Sequence, residues 1–360
     1  MLRIGIAGLG HGRTFLQANI PDQRSTALDK TYTIPKNLPM RVTALCDTDE
    51  DLLVRASKEF GVGATTTEFS KLLDRDDVDI VGIYTPGPIH APQILAALDA
   101  GKHVMVTKSM VYTMEEAESV VKAVDRTGLV LLVTQSMRGR FDFMESKRAC
   151  DAGEIGELFM AESHYVHDLR PLYQATPWRH QLPQDLLLGG ACHPIDLVRW
   201  FMGDIDEVHC YGIRSGVAPE YPQEDDFVIN MRFKSGKIGR VAAYLGLVEP
   251  PDVPMNELTV FGTKGTIVDG RKRIDPEGFV PSRSYRWEYP KAAPQGHGQE
   301  MVVMMQHMAD CILKGEKPWV GVREGARVVS TGLACWESLR TGLPVKVRNE
   351  FYLIDTHFGQ

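Results

Sequence analysis

Residues whose type and spacing could do chemistry fall in three places along this 360-residue chain. The first is Gly8, Gly10 and Gly12 in MLRIGIAGLGHGRTF, directly behind the apolar run Leu2, Ile4, Ile6 and Ala7. A buried strand that breaks into glycines and re-forms as a helix lets backbone approach a pyrophosphate closely. The free N–H groups and dipole of the helix then favour the anion. A complete G-x-G-x-x-G would put its third glycine at Arg13, so the spacing is one residue short; His11 and Arg13 stand in the same turn as further contact candidates. The second place is Asp47, at the end of RVTALC. A carboxylate there accepts bonds from an adenosine ribose and repels a 2′-phosphate, which selects NAD over NADP; the competing reading is a cap on the next helix. The third comprises Lys108, just beyond the strand KHVMVT, and His193 in LGGACHPIDLVRWFMG. Pro194 is suited to open a helix, which sets His193 at its entrance, where an imidazole can take or give a proton near neutral pH.

The elements that must position these groups alternate in the first half of the chain. Strands are expected at Arg41–Cys46, Asp77–Tyr84, Lys102–Thr107 and Leu129–Thr134, with helices at Asp49–Phe60, Ala91–Ala100 and Met114–Arg126. Such alternation predicts a doubly wound parallel sheet with its ligand at the strand C-terminal ends. Gly8 to Gly12, Asp47, Thr85 to Pro88 and Lys108 all fall at such ends. The first helix is expected from about Gly12 to Pro21, and Asp22 to Met40 reads as a surface insertion. From Asp206 the period changes to two, with Phe227, Ile229, Met231 and Phe233 on one face and the GTKG turn, Gly262 to Gly265, in a second hairpin. A mostly antiparallel sheet with helices on one face follows. Gly278 to His297 has the composition of a long surface loop or lid, and helices at Met301–Leu313 and Arg323–Arg340 close the chain.

With these motifs in place, the sequence resembles the Gfo/Idh/MocA family of nicotinamide-dependent oxidoreductases. TPGPIH, Thr85 to His90, resembles the family's T-P-N-x-x-H loop beside the nicotinamide half of the cofactor, with Gly87 for Asn. AGKHVMVTKSM resembles A-G-K-H-V-x-x-E-K-P, with Thr107 for Glu and Ser109 for Pro; the lysine, Lys108, is kept. MRGRFDFMESKRACDAGEIGEL resembles the segment that crosses to the second domain. The resemblance implies an NAD(P)-binding Rossmann domain over 1–136 and a substrate-binding and oligomerisation domain over 137–360. It implies cofactor contacts from Gly8, Gly10, His11, Gly12, Arg13, Asp47, Thr85, Pro86, His90 and Lys108. Lys108 and His193 would be the catalytic pair. The family aspartate four residues before the histidine is Gly189 here, which leaves Asp185 or another residue to orient His193; Asp185 is also a candidate to meet the substrate. Arg138 and Arg140 could face a polyhydroxylated substrate, as could Trp178 and Arg179 in a polar, aromatic loop. The sheet's second face packs on another subunit in this family, so a homodimer or homotetramer is expected.

Composition narrows the function classes. Net charge is −7 and no Lys or Arg run stands out, which argues against nucleic acid as a partner. Cys46, Cys150, Cys192, Cys210, Cys311 and Cys335 form no C-x-x-C pair, and Cys192 with His193 supplies too few ligands for a metal, so none is expected. No apolar run reaches membrane-spanning length and no cleavable leader is read at the N-terminus; a cytoplasmic location is expected. The function read from the sequence is an NAD-dependent oxidoreductase acting on a secondary alcohol or ketone of a sugar, polyol or related molecule. The alternatives are an NAD-retaining glycosidase-like enzyme and a non-catalytic cofactor- or sugar-binding regulator.

Overall fold

The computed structural model describes residues 1–19, 38–176, 179, 182, 185–248, 254–268, 270–274, 284–286 and 298–351. The chain divides into two compact units, Met1–Ser136 with Lys291–Ala326 and Glu350–Gln360, and Met137–Pro290 with Arg327–Asn349. The N-terminal unit thus takes in a stretch that lies within the 137–360 region of the sequence reading.

In the N-terminal unit, β1 (Leu2–Ala7), β2 (Met40–Cys46), β3 (Thr65–Thr66), β4 (Ile80–Ile83), β5 (His103–Val106) and β6 (Leu131–Val133) form a six-stranded sheet in the order β3-β2-β1-β4-β5-β6. Every pair is parallel. The crossovers are α1 (Leu9–Asn19), α2 (Glu50–Phe60), α3 (Phe69–Leu73), α4 (His90–Asp99) and α5 (Met114–Thr127). This is the doubly wound fold expected, and the strand order reverses between β1 and β4, where such sheets open a ligand crevice. On one face Ile4, Ile6, Ile80, Met105 and Leu132 share a buried apolar cluster with Phe15, Leu16, Leu53 and Phe60. The fourth contributor is α9 (Gly298–Lys314), whose Met301, Met304, Met305 and Met308 complete the cluster. Gly5 faces the other side, where a Cβ would come within 2.7 Å of Leu72 in α3.

In the second unit, α6 (Phe141–Asp151) leads to β7 (Leu158–Val166), α7 (Arg170–Ala175) and α8 (Cys192–Met202). Then come β8 (Ile205–Ile213), β9 (Asp226–Phe233), β10 (Ile238–Tyr244), β11 (Asn256–Gly262), β12 (Gly265–Val268), β13 (Arg271–Ile274) and β14 (Ser284–Arg286). After α10 (Val322–Thr341), β15 (Val345–Lys346) closes the edge of a sheet of nine strands among the described residues, ordered β14-β13-β12-β11-β7-β10-β9-β8-β15. It is antiparallel except where β10 runs parallel to β7. Phe227, Ile229, Met231 and Phe233 point inward with period two, and Ile195, Val198, Phe201 and Met202 of α8 pack against that face. The opposite face is mixed in character. Exposed Tyr211 and Ile238 share it with cross-strand pairs Arg232–Glu207 at 2.6 Å and Arg240–Glu162 at 2.9 Å.

Residues 20–37, most of the expected insertion, and nearly all of the expected loop from Gly278 to His297 lie outside the described residues.

Candidate cofactor and catalytic residues

The three glycines differ in what they do. Gly8 has φ +86°, and a Cβ on it would lie 2.6 Å from the Tyr84 backbone, so conformation and space both demand glycine. A Cβ on Gly12 would press on Ile6 Cγ2 at 2.9 Å, so this glycine sets how closely α1 approaches β1. At Gly10 a Cβ would meet nothing within 4 Å among the described residues beyond its own helix, and the position is exposed. A ligand lying against the turn would meet it. That cradle, closed by protein at Gly8 and Gly12 and open at Gly10, fits a pyrophosphate on the α1 N-terminus.

The helix begins at Leu9 rather than near Gly12, because its first amides find acceptors. Gly12 N–H donates to Gly8 O at 3.1 Å, and Leu9 N–H donates to Asp47 Oδ2 at 2.6 Å. Asp47 Oδ1 accepts from Asp49 N–H at 3.0 Å. The cap of α2 is Asp49, which accepts from Leu52 N–H at 2.9 Å. Asp47 therefore ties the glycine turn to the end of β2 and is half-buried beside it, with lone pairs remaining for a ribose, since a carboxylate offers about four acceptor sites. Arg13 is turned to an exposed pair with Glu59 at 2.8 Å. His11 lies in α1, its side chain outside the described residues.

Past β4, Thr85 Oγ1 donates to Gln93 Oε1 at 2.6 Å, and Pro86 caps a single turn, Gly87–Ile89, that runs into α4. His90 is fully buried, with Nδ1 2.7 Å from Ser109 O and Nε2 2.8 Å from Thr85 O. It stitches the loop after β4 to the loop after β5. Burial, with a smaller push from Lys108, holds its pKa below the usual histidine value against the pull of its carbonyl partners. Lys108 is half-buried immediately before Ser109, the residue so anchored. Gly8–Gly12, Asp47, Thr85–Pro86 and Lys108 are thus gathered at the C-terminal ends of β1, β2, β4 and β5.

In the second unit, α8 starts at Cys192 after a wide turn, Leu187–Ala191, so His193 lies inside the first helical turn rather than at its entrance. It is 1% exposed, and its ring sits 5.6 Å from that of Tyr165 on β7. Asp185 builds the turn. Its carboxylate accepts from Leu188 N–H and Trp336 Nε1–H, both at 2.8 Å, and its carbonyl accepts from Gly189 N–H. Burial raises its pKa. Asp185 thus shapes the turn that leads into His193. Arg138 and Arg140, which the sequence allowed to face substrate, are engaged in ion pairs within their own unit. Arg138 makes a buried two-pronged pair with Asp196 at 2.7 Å and covers Trp200, because Asp196 on α8 would otherwise be buried without a partner. Arg140 pairs with buried Asp142 at 2.6 Å and lies over Phe143. Asp196 meets Arg138 and not Arg199, which pairs with Asp204. Arg179 is half-buried; Trp178 lies outside the described residues.

Comparison with known proteins accords with this layout. Residues 2–135 match a family model described as "Oxidoreductase family, NAD-binding Rossmann fold", and 147–347 match "Oxidoreductase family, C-terminal alpha/beta domain". The chain is 24% identical over 300 residues to scyllo-inositol 2-dehydrogenase (NAD(+)) of Bacillus subtilis strain 168, spanning 81% of this chain and 84% of that one. It is 37% identical over 140 residues to glycosyl hydrolase family 109 protein 2 of Shewanella sp. strain ANA-3, spanning 36% and 30%. Levoglucosan dehydrogenase in complex with NADH and levoglucosan shares the fold, with TM-score 0.82 at 21% identity over 97% of this chain and 100% of that one.

Proposed function

From its membership of the Gfo/Idh/MocA oxidoreductase family, which makes this chain an NAD-dependent oxidoreductase acting on CH–OH groups of a sugar, polyol or related small molecule, we propose that Lys108 and His193 carry the chemistry. The observation that supports the cofactor half of this reading is the gathering of an open glycine turn, Asp47, Thr85 and Lys108 on one edge of a parallel sheet. The residues fit NAD, which when bound supplies the hydride acceptor. Gly8 to Gly12 receive the pyrophosphate, and Asp47 accepts from the adenosine ribose and disfavours NADP. Lys108 holds the substrate oxygen and stabilises the negative charge that develops on it. His193 takes the hydroxyl proton at a ring nitrogen and returns it in the reductive direction. Arg179 and Trp178 remain the candidates for substrate hydroxyls and ring faces.

Lys108→Met and His193→Asn, assayed with a panel of inositols, anhydrosugars and aldoses, test the assignment. Turnover should fall by about 100-fold or more, with NADH affinity within about threefold of wild type. An equal loss of turnover and NADH affinity contradicts the roles. A second reading, cleavage of a glycosidic bond by transient oxidation on retained NAD, is supported by the 37% identity to the glycosyl hydrolase. Net NADH formation in step with product decides against it.

The reading extends to a homodimer or homotetramer through the outer sheet face, where Tyr211 and Ile238 are exposed. A monomer by analytical ultracentrifugation at micromolar concentration would contradict this. All six cysteines are free and buried, which suits the reducing cytoplasm; fractionation that finds the native protein in another compartment would overturn that placement.

A further inference from the structure

The cofactor must cross the sheet in a defined sense. Asp47 marks the adenosine side at β2, so the nicotinamide end lies over the loops that follow β4 and β5, across the point where strand order reverses. Gly87 sits in the first of these loops, and its backbone does not explain it: its φ is not among the positive glycine values. A neighbour does. A Cβ on residue 87 would fall 2.2 Å from Tyr112 Cε2, 2.6 Å from Cζ and 2.5 Å from the phenol oxygen. The ring of Tyr112 therefore fills the space that a side chain at 87 would use. Its oxygen stands from that Cβ position at about the distance that separates an asparagine's amide oxygen from its own Cβ, about 2.4 Å by ordinary bond lengths.

Tyr112 is held in this place by the segment that carries Lys108. Its N–H donates to Glu116 Oε2 at 2.9 Å, beside the reciprocal Thr113–Glu116 bonds that open α5. Upstream, Ser109 Oγ donates to Val111 O at 3.0 Å, and His90 engages Ser109 O. The phenol is half-buried and approaches the nicotinamide-side loop from a braced backbone.

We propose that Tyr112 is a cofactor-site residue whose hydroxyl takes over, from the neighbouring loop, the polar contact that a side chain at position 87 would make with the nicotinamide end of NAD. The inference rests on the NAD reading above. It is tested by fluorescence and calorimetric titration of the full-length protein, freed of retained nucleotide, with NADH and with ADP-ribose, which lacks the nicotinamide. Tyr112→Phe should bind NADH about 3- to 10-fold more weakly, the worth of one hydrogen bond, and ADP-ribose as wild type does. Tyr112→Ala should be weaker again for NADH alone, and adding Gly87→Asn to it should restore NADH binding to within about threefold of wild type, since the two positions compete for one space. Three results overturn the proposal: Tyr112→Phe matching wild type, both ligands weakening together, or Gly87→Asn failing to rescue Tyr112→Ala. Wild-type protein that binds neither ligand overturns the cofactor reading itself.

Discussion

Replacing Gly10 by alanine should make this protein more stable and a worse binder of NADH. The two effects come from separate parts of the structure. Gly10 lies in the first turn of α1 with no positive φ, and among the described residues an added methyl group meets nothing within 4 Å beyond its own helix. Alanine loses less backbone freedom on folding than glycine, so the substitution should stabilise by about 0.5–1 kcal/mol. For a unit of this size that is a rise in Tm of roughly 1–3 °C. The same methyl stands on the open side of the turn, between the backbone and any pyrophosphate drawn to the helix N-terminus. A forced retreat of about an ångström there costs the amide–phosphate bonds their geometry, and losing about 1.4 kcal/mol is already tenfold in Kd. Differential scanning fluorimetry without ligand and NADH titration on the same preparation read both quantities. Gly8→Ala is the control, because a Cβ 2.6 Å from the Tyr84 backbone must lower Tm as well. A Gly10→Ala protein with unchanged NADH affinity would refute the assignment of this turn; one with lowered Tm would refute the packing argument.

Two further outcomes follow from groups off the sheet edge. Arg138→Ala strands the buried Asp196 carboxylate and should cost about 3–5 kcal/mol in urea unfolding, whereas an arginine facing substrate would raise KM at unchanged stability. His307 on α9 is buried, accepts from Trp319 N–H at 2.9 Å, and is held by burial to a pKa of about 4 from an ordinary 6.5. A lowered folded value means that the unfolded chain binds the extra proton first. Stability is therefore full above about pH 6.5 and is lost as pH falls toward 4, by about 3 kcal/mol, and His307→Gln should flatten that part of the pH–stability curve.

What the sequence disclosed follows from where each signal resides. The parallel strands were legible because runs such as Ile80–Ile83 and His103–Val106 are buried on both faces and end in turn residues or Lys108. Thr65–Thr66 and Phe69–Leu73 were not read, since two and five residues carry no measurable period. Asp47 was legible as the acid ending β2, but its hold on Leu9 depends on β1 and β2 lying side by side, 38 positions apart in sequence. The partner of Arg138 was hidden for the same reason. A charged residue reads as solvent- or ligand-facing until its partner, 58 positions later, comes within reach. Tyr112 left only one trace, a glycine at 87 that no turn required. The helical period of Met301–Leu313 was plain, but periodicity says which face is apolar and not which sheet it covers.

That last point bears on how the protein is made. The cluster over the parallel sheet lacks Met301, Met304, Met305 and Met308 until the ribosome has passed α9, more than 160 residues after β6. At about 5–20 residues per second this is a wait of roughly 10–35 s, with Ile4, Phe15 and Tyr84 short of their cover. During it the nascent first 136 residues should behave as a chaperone substrate rather than a finished domain. A fragment cut at residue 136, though it contains the entire six-stranded sheet, should be recovered as aggregate, and co-expression of α9 in trans is the natural means of rescuing it.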